Sequence, residues 1–170
     1  MGQALPRPGL RPFLAEDAPL LAAIFRASID ELTEEDYSEA QREAWMAAVD
    51  DMQAFGARLA GQLTLVGTLG GSPVGFASLR GGTVIDMLYV HPAAVRSGVG
   101  AALCDALEKL AGARGAARLT VDASDTARDF FVARGYSPER RNMARRGEEW
   151  LGNTTMQKQL AETGKGGTEP

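Results

Sequence analysis

The sequence contains only one cysteine, Cys104, and only one histidine, His91. A single cysteine excludes a disulfide within the chain and is typical of a protein in the reducing cytoplasm, where we expect this one. The two residues are too few for a His/Cys zinc site, and no Ser-His-Asp catalytic set is visible. We therefore expect no metal site, and we interpret Cys104 as a small buried apolar residue.

Long apolar runs are also missing, since no stretch approaches the ~20 residues of a membrane-spanning helix. The N-terminal residues lack the basic and apolar regions of a signal peptide. The net charge of -4 argues against non-specific binding to nucleic acid or to an anionic membrane. The composition, 45% hydrophobic and 24% charged, is that of an ordinary globular domain. We predict one domain over residues 1–160 and a flexible C-terminal tail over residues 161–170.

The order of predicted elements indicates the fold class. Apolar periodicity and β-branched runs predict a strand, two or three helices, a three-strand meander, a crossover helix, a strand, a short helix and two final strands. The crossover helix makes the strands at 84–90 and 118–122 parallel to each other. The chain is therefore predicted to be α+β, or mixed α/β, with a mostly antiparallel central sheet flanked by helices.

The most informative stretch spans residues 84–103, where a β-rich run ends at a proline and a helix begins near Gly98. The first turn of a helix has unpaired amides and partial positive charge. Gly98 and Gly100 have no side chains to keep a ligand away from these amides, and Arg96 adds a full positive charge. This arrangement suits a diphosphate. The alternative is an ordinary crossover whose glycines serve close packing.

Two familiar nucleotide motifs do not fit this loop. A P-loop requires Lys and then Ser or Thr after its last glycine, but Ala101 and Ala102 follow here, and a dinucleotide-binding loop requires glycine where Leu103 stands. The loop instead resembles the pyrophosphate loop of the GNAT superfamily of N-acetyltransferases, [Gln/Arg]-x-x-Gly-x-[Gly/Ala]. In this chain the six positions read Val95-Arg96-Ser97-Gly98-Val99-Gly100. Val95 departs from the signature at its first position.

A second GNAT motif lies downstream, over residues 121–136. The family often has Val-x-x-Asn-x-x-Ala-x-x-Phe-Tyr-x-x-x-Gly-Phe, and this chain has Ser124 at the Asn position and Phe131 at the Tyr position. The chain most resembles a subgroup of small bacterial proteins known only as acetyltransferases, which share its Asp-Tyr-Ser sequence and Trp45. The resemblance extends over about residues 10–160 and implies the GNAT fold and acetyl-CoA as cosubstrate.

The resemblance also implies a set of coenzyme contacts. Residues 88 and 90 offer backbone groups to the pantetheine arm, the loop at 95–101 surrounds the pyrophosphate, and Ser124 hydrogen-bonds the pantetheine. The alternative for Phe131 is plain core packing, which we favour for Phe130. The implied coenzyme-binding residues are Leu88, Tyr89, Val90, Val95, Arg96, Ser97, Gly98, Val99, Gly100, Ala101, Ser124, Ala127 and Phe131.

The implied reaction is direct attack of a primary amine of a small molecule or peptide on the thioester carbonyl, which requires a proton acceptor. Asp86 is our candidate base, because relatives carry an acidic residue at this place; the alternative is that Asp86 pairs with an arginine and orders the sheet. Phe131 cannot donate a proton to the departing thiolate. Water or Tyr89 is then the donor, and a thiol with a pKa of ~8.5 is a tolerable leaving group. His91 lies beneath the phosphates, and we favour a surface role for it.

The acceptor is expected between the first helices and the final hairpin. We predict that Glu35, Asp36, Tyr37 and Trp45 line this site and that hairpin residues 140–146 form another wall. Acidic groups there are expected to favour a cationic amine. The alternative is that Trp45 belongs to the core and the acids form a solvated turn.

Other functions remain open from the sequence. One is a non-catalytic acyl-CoA-binding regulatory module, and another is a toxin-type acetyltransferase that modifies aminoacyl-tRNA. The negative net charge makes a nucleic-acid partner the less favoured case, although the arginines at 140–146 are a local exception. A homodimer through the C-terminal strands, with Trp150 in the contact, is a further hypothesis.

Overall fold

The computed structural model describes residues 6–160, so the predicted tail at 161–170 lies outside the described residues. The strands and helices are β1 (Pro8–Pro12), α1 (Ala18–Leu32), α2 (Glu39–Met46), α3 (Met52–Ala60), β2 (Leu63–Leu69), β3 (Ser72–Arg80), β4 (Val84–Val90), α4 (Val99–Ala113), β5 (Arg118–Ser124), α5 (Arg128–Ala133), β6 (Ser137–Arg146) and β7 (Glu149–Gln159). Short 3-10 turns precede α1, α3 and α4.

The strands form one seven-stranded sheet in the order β1-β2-β3-β4-β5-β7-β6. Every neighbouring pair is antiparallel except β4 and β5, which are parallel, as the crossover through α4 requires. This architecture confirms the predicted class, a mixed α/β fold with a mostly antiparallel sheet.

Two apolar clusters cover the two faces of the sheet. The α1–α3 side contains Phe25 and Phe76, and the α4 side contains Leu103. On the α4 side, Gly67 of β2 lies opposite Gly75 of β3. A Cβ atom on Gly67 would lie 2.8 Å from Val99 Cγ1, and one on Gly75 would lie 3.1 Å from the same atom. The absence of these side chains lets the N-terminal end of α4 approach the sheet closely.

Side-chain caps define the start of two of the first three helices. Ser38 caps α2, because its hydroxyl accepts a hydrogen bond from the Gln41 amide at 3.1 Å and the Gln41 side chain accepts one from the Ser38 amide. A break separates α2 from α3, and the Asp51 carboxylate caps α3 by accepting a hydrogen bond from the Ala54 amide. Asp17 directly precedes α1, but its carboxylate accepts hydrogen bonds from Arg11 and the Leu14 amide and does not cap the helix.

A β-bulge in β4 shapes the centre of the sheet. Ser78 pairs with Met87 and Leu79 pairs with Ile85, so Asp86 is an extra residue on β4. A bulge bends a strand and increases its twist. β4 and β5 are paired at only two positions, both before the bulge. Beyond the bulge the two strands separate and leave an opening in the sheet.

Candidate active site

The opening between β4 and β5 leads into a cavity of about 550 Å³. Residues 84–89 of β4 form one wall, and residues 121–124 of β5 form the opposite wall. Tyr37 of the α1–α2 loop, Trp45 of α2 and Arg58 of α3 close one side, and the β6–β7 hairpin contributes Arg146 and Asn153. The volume is within the usual range for small-molecule sites.

The edge of β4 that faces this opening carries free backbone groups. The His91 amide donates a hydrogen bond to the Val74 carbonyl of β3 at 2.8 Å. Because successive residues of a strand direct their backbone groups to opposite sides, Leu88 and Val90 face β5. The register of β4 with β5 ends at Ile85, so β5 gives these two residues no ladder partner. The bulge determines which residues face β5, because the extra residue Asp86 shifts the alternation of backbone directions along β4 by one residue.

The loop before α4 lies beyond the end of β4. Arg96 has φ 66° and Gly98 has φ 92°, and both values are in the left-handed region that glycine tolerates best. The Ser97 hydroxyl lies 3.4 Å from the Val99 amide. Within residues 6–160, the amides of Gly98, Gly100 and Ala101 have no hydrogen-bond acceptor. They form the positively polarised end of a 15-residue helix. Val95, at the first loop position, is partly exposed.

The wall opposite β4 includes the residues of the second motif. The Ser124 hydroxyl accepts a hydrogen bond from the Ala127 amide at 3.0 Å, which turns the chain into α5. Phe131 lines the cavity but is only 2% exposed, and its ring lies 5.1 Å from that of Phe130 and 5.1 Å from that of Tyr136. Phe131 therefore serves the core and the cavity wall together, whereas Phe130 packs beside the α4 core cluster.

Asp86, the candidate base, already accepts several hydrogen bonds. Its side chain is 7% exposed. Arg58 Nε and Gln62 Nε2 each donate to Oδ2 at 2.9 Å, and an Arg80 guanidinium nitrogen donates to Oδ1 at 2.9 Å. These contacts favour the alternative in which Asp86 pairs with arginines and orders the sheet. One carboxylate between two guanidinium groups leaves a net charge of about +1 in this cluster.

Aromatic rings surround Tyr89. Its ring lies 4.6 Å from Phe25, 5.7 Å from Phe76 and 6.4 Å from Trp45, measured between centroids. Burial raises the pKa of Tyr89 to about 12, and the neighbouring Trp45 offsets part of this effect. The Tyr89 hydroxyl is therefore protonated at neutral pH and lies against the cavity.

Tyr37 connects three segments of the chain. Its hydroxyl donates a hydrogen bond to the Gly152 carbonyl of β7 at 2.6 Å and accepts one from the Asp125 amide at 2.8 Å. Burial raises the pKa of Tyr37, which keeps the hydroxyl protonated and able to donate. The neighbouring Asp36 accepts a hydrogen bond from Thr126 at 2.7 Å. Tyr37 and Trp45 line the cavity, whereas Asp36 does not.

Several charged residues of the cavity were missed by sequence reasoning. Asp122 of β5 lines it, and its Oδ1 accepts a hydrogen bond from Thr155 at 2.6 Å. The alternation of buried Leu119, Val121 and Ala123 around Asp122 was a usable signal, because it directs Asp122 to the opposite face of β5. No local pattern indicated that Arg58 and Arg80 would join it, whereas Arg146 belongs to the final hairpin, whose residues 140–146 were expected to form another wall of the acceptor site.

The remaining candidate residues lie away from this cavity. His91 Nδ1 accepts a hydrogen bond from the Ala93 amide at 3.0 Å and caps the turn before the loop. Cys104 is fully buried, as predicted, and burial raises the pKa of its thiol to about 11. Across residues 6–160, no group of His, Cys, Asp and Glu side chains is placed to hold a metal ion. The same residues contain no helix long and apolar enough to cross a membrane.

A cavity in an opened sheet beside a glycine-rich helix N-terminus is typical of a small-molecule site with an anion-binding end. Comparisons with known proteins identify the family. The family model described as an acetyltransferase (GNAT) domain matches residues 33–160. The uncharacterized N-acetyltransferase YafP of Escherichia coli K12 is 33% identical over 147 residues, which cover 86% of this chain and 93% of YafP. The chain therefore belongs to the GNAT family of acetyltransferases, which confirms the resemblance found in the two motifs.

Solved structures agree with this assignment. A crystal structure of a GCN5-related N-acetyltransferase from Rhodopseudomonas palustris is 60% identical, with a TM-score of 0.90 over 94% of this chain and 100% of that one. The PaiA N-acetyltransferase of Thermoplasma acidophilum, solved in complex with coenzyme A, is 18% identical, with a TM-score of 0.75 over 90% of this chain and 99% of that one. The second likeness is evidence for the fold alone.

Proposed function

We propose that this protein transfers an acetyl group from acetyl-CoA to a primary amine. The observation that carries the proposal is the free β4 edge at Leu88 and Val90, which continues toward the unpaired amides of the α4 N-terminus. One elongated ligand with an amide-bearing arm and a diphosphate would satisfy both sets of groups. The coenzyme A bound to PaiA is a ligand of this kind.

The coenzyme would lie along β4. Its pantetheine arm would pair with Leu88 and Val90 as an added strand. Its pyrophosphate would accept hydrogen bonds from the amides at 98–101, with Arg96 supplying charge. Ser124, Ala127 and Phe131 would form the opposite wall. The thioester then falls near the bulge, and the amine enters from the end of the cavity that contains Asp86 and Asp122.

For the base, we propose Asp122 in place of Asp86. The oxygens of Asp86 accept bonds from Arg58, Gln62 and Arg80. Asp122 has a single hydrogen-bond donor among the described side chains, Thr155 on Oδ1, so its other oxygen can accept the proton of the amine. An ammonium nitrogen has no lone pair, so one proton first passes to Asp122 and from there to solvent. The neutral nitrogen then attacks, the C–N bond forms, a second proton passes to Asp122, and the C–S bond breaks.

The thiolate leaving group does not require a proton donor from the protein. Tyr89 has a pKa of about 12, well above the ~8.5 of a cysteine-type thiol, so proton transfer from Tyr89 to the thiolate is unfavourable. Phe131 has no proton to give. We therefore propose that the thiolate departs as an anion and is protonated by solvent. The Leu88 amide is available to polarise the carbonyl during attack.

Calorimetric titration with acetyl-CoA tests the coenzyme site. We expect micromolar binding by the wild type and at least a tenfold loss in Gly98→Glu, because a carboxylate would stand at the phosphate position on a backbone with φ 92°. Gly115→Glu is the matched control. Its φ is 94°, a Cβ there meets no atom within 4 Å, and it follows the other end of α4.

The proposal is tested by comparing acetyl-CoA binding among the wild type, Gly98→Glu and Gly115→Glu. Binding by the wild type and Gly115→Glu, but not by Gly98→Glu, supports the site. Equal loss in both variants would indicate a general effect of the added charge or strain, and absence of wild-type binding by folded protein would overturn the proposal. Binding without acetyl transfer to any amine would favour the non-catalytic module.

A further inference from the structure

The acceptor end of the cavity has an excess of positive charge. Arg58 and Arg80 share the single carboxylate of Asp86. Arg146 also lines the cavity, and no acidic side chain among residues 6–160 forms an ion pair with it. The negative charge of Asp122, which also lines the cavity, partly balances these positive charges. The acidic turn that the sequence predicted for this site is absent from its lining, because Asp36 bonds Thr126 outside the cavity.

The placement of Arg146 follows from the alternation of β6. Ala144 and Arg146 face the cavity, whereas Arg145 faces the other side and stacks its guanidinium 5.5 Å from the Trp150 ring. The Arg146 guanidinium donates a hydrogen bond to the Arg145 carbonyl at 3.1 Å, which leaves its other donors free for a ligand. Burial is the main influence on the pKa of Tyr89, but the charges of Arg58 and Arg146 both contribute. The charges of Arg58 and Arg146 therefore both influence Tyr89 at the centre of the cavity.

We propose that the acceptor is a small amino acid, whose carboxylate binds Arg146 while its amine lies beside Asp122. The inference rests on the proposed acetyltransferase function and names the substrate class. A simple cationic amine would meet net positive charge, whereas a zwitterion presents each charge to its complement. Guanidinium groups bind carboxylates through two parallel hydrogen bonds. The acceptor must be small because the cavity of about 550 Å³ also receives the thioester arm.

Matched acceptor pairs test this inference. The probes are the common L-α-amino acids, β-alanine and γ-aminobutyrate, each assayed beside its own carboxamide, with release of coenzyme A thiol as the readout. We expect at least one acid to be acetylated with kcat/KM about tenfold or more above its amide. Arg146→Gln should reduce that ratio to near one by raising KM for the acid, and Arg146→Lys should restore part of it.

Arg145→Gln is the matched control, since it removes the same charge from the neighbouring position on the opposite face. It should leave the acid-to-amide ratio unchanged. Amides equal to or better than their acids, an unchanged ratio in Arg146→Gln, or a panel with no acetylated acid would each overturn the inference. If acetyl-CoA still binds, the coenzyme site stands whichever of these occurs; failure of that binding would instead remove the proposed function itself.

Discussion

Asp86 and Asp122 are two carboxylates on neighbouring strands that have different surroundings. Asp86 is nearly buried and receives donors from Arg58, Gln62 and Arg80. Asp122 is exposed to the cavity and is bonded by Thr155. A carboxylate with two cationic partners organises its surroundings, whereas one with a free oxygen can exchange a proton. Residue type alone would not have distinguished the two.

This difference predicts opposite effects for two isosteric variants. Asp122→Asn should lower kcat by about 10²- to 10⁴-fold, because the proton acceptor is lost, with little change in stability. Asp86→Asn should lower the free energy of unfolding by about 1–3 kcal/mol, because two guanidinium groups lose their anion, and should affect kcat less. Steady-state kinetics and denaturant titration measure the two effects. Acetyl-CoA affinity should remain within a few-fold of wild type in both.

The opposite pattern would return the role of base to Asp86. If Asp86→Asn lost turnover as deeply as expected for Asp122→Asn while its stability was unchanged, the arginine pairing would be part of the chemistry. If neither variant lost turnover, the amine would deliver its proton to solvent.

At the scale of elements, the loop at 33–37 connects α1 to the far wall of the cavity. Tyr37 bonds the carbonyl of Gly152 and the amide of Asp125, and Asp36 bonds Thr126. These contacts hold the β5–α5 junction against β7. The junction contains Ser124 and leads to Ala127, so Tyr37 positions the proposed coenzyme wall without reaching across the cavity.

Tyr37→Phe should therefore affect stability and coenzyme affinity together. It leaves a buried amide and carbonyl without their shared partner, and we expect a loss of about 1–3 kcal/mol in the free energy of unfolding. KM for acetyl-CoA should rise several-fold while kcat changes less. Thr126→Val removes only the exposed bond to Asp36 and should be nearly neutral. Equal effects of the two variants on KM would show that the Tyr37 contacts do not position the wall.

Much of the element order could be predicted from local sequence, because strands and helices are encoded by short-range periodicity. The bounds of β4, the glycine at the start of α4 and the parallel β5 all follow from such patterns. The β4 bulge could not be predicted, since it depends on register with β3 rather than on the strand itself. The partners of Asp86 were also inaccessible, because Arg58 lies 28 residues from it in the chain.

At the scale of the whole molecule, the sheet consists of two parts joined by a short connection. β1–β4 form one part and β5–β7 the other. Among the described strands, their backbones are joined only where residues 83–85 meet Thr120 and Val121. Contacts from α4 and Tyr37 help to hold the parts together. An added strand in the opening would bond β4 along the edge that now lacks a partner.

Hydrogen exchange and thermal unfolding can detect this change. The amides of Leu88 and Val90 should exchange fast in the free protein and slowly with acetyl-CoA, whereas the His91 amide, bonded to Val74, should be protected in both states. At a ligand concentration 100 times Kd, binding contributes about 2.7 kcal/mol. For a chain of this size, that predicts a rise of about 5–10 °C in Tm. Gly98→Glu should show neither effect. Stabilisation without protection of Leu88 and Val90 would mean that the coenzyme binds at the loop but leaves the β4 edge open.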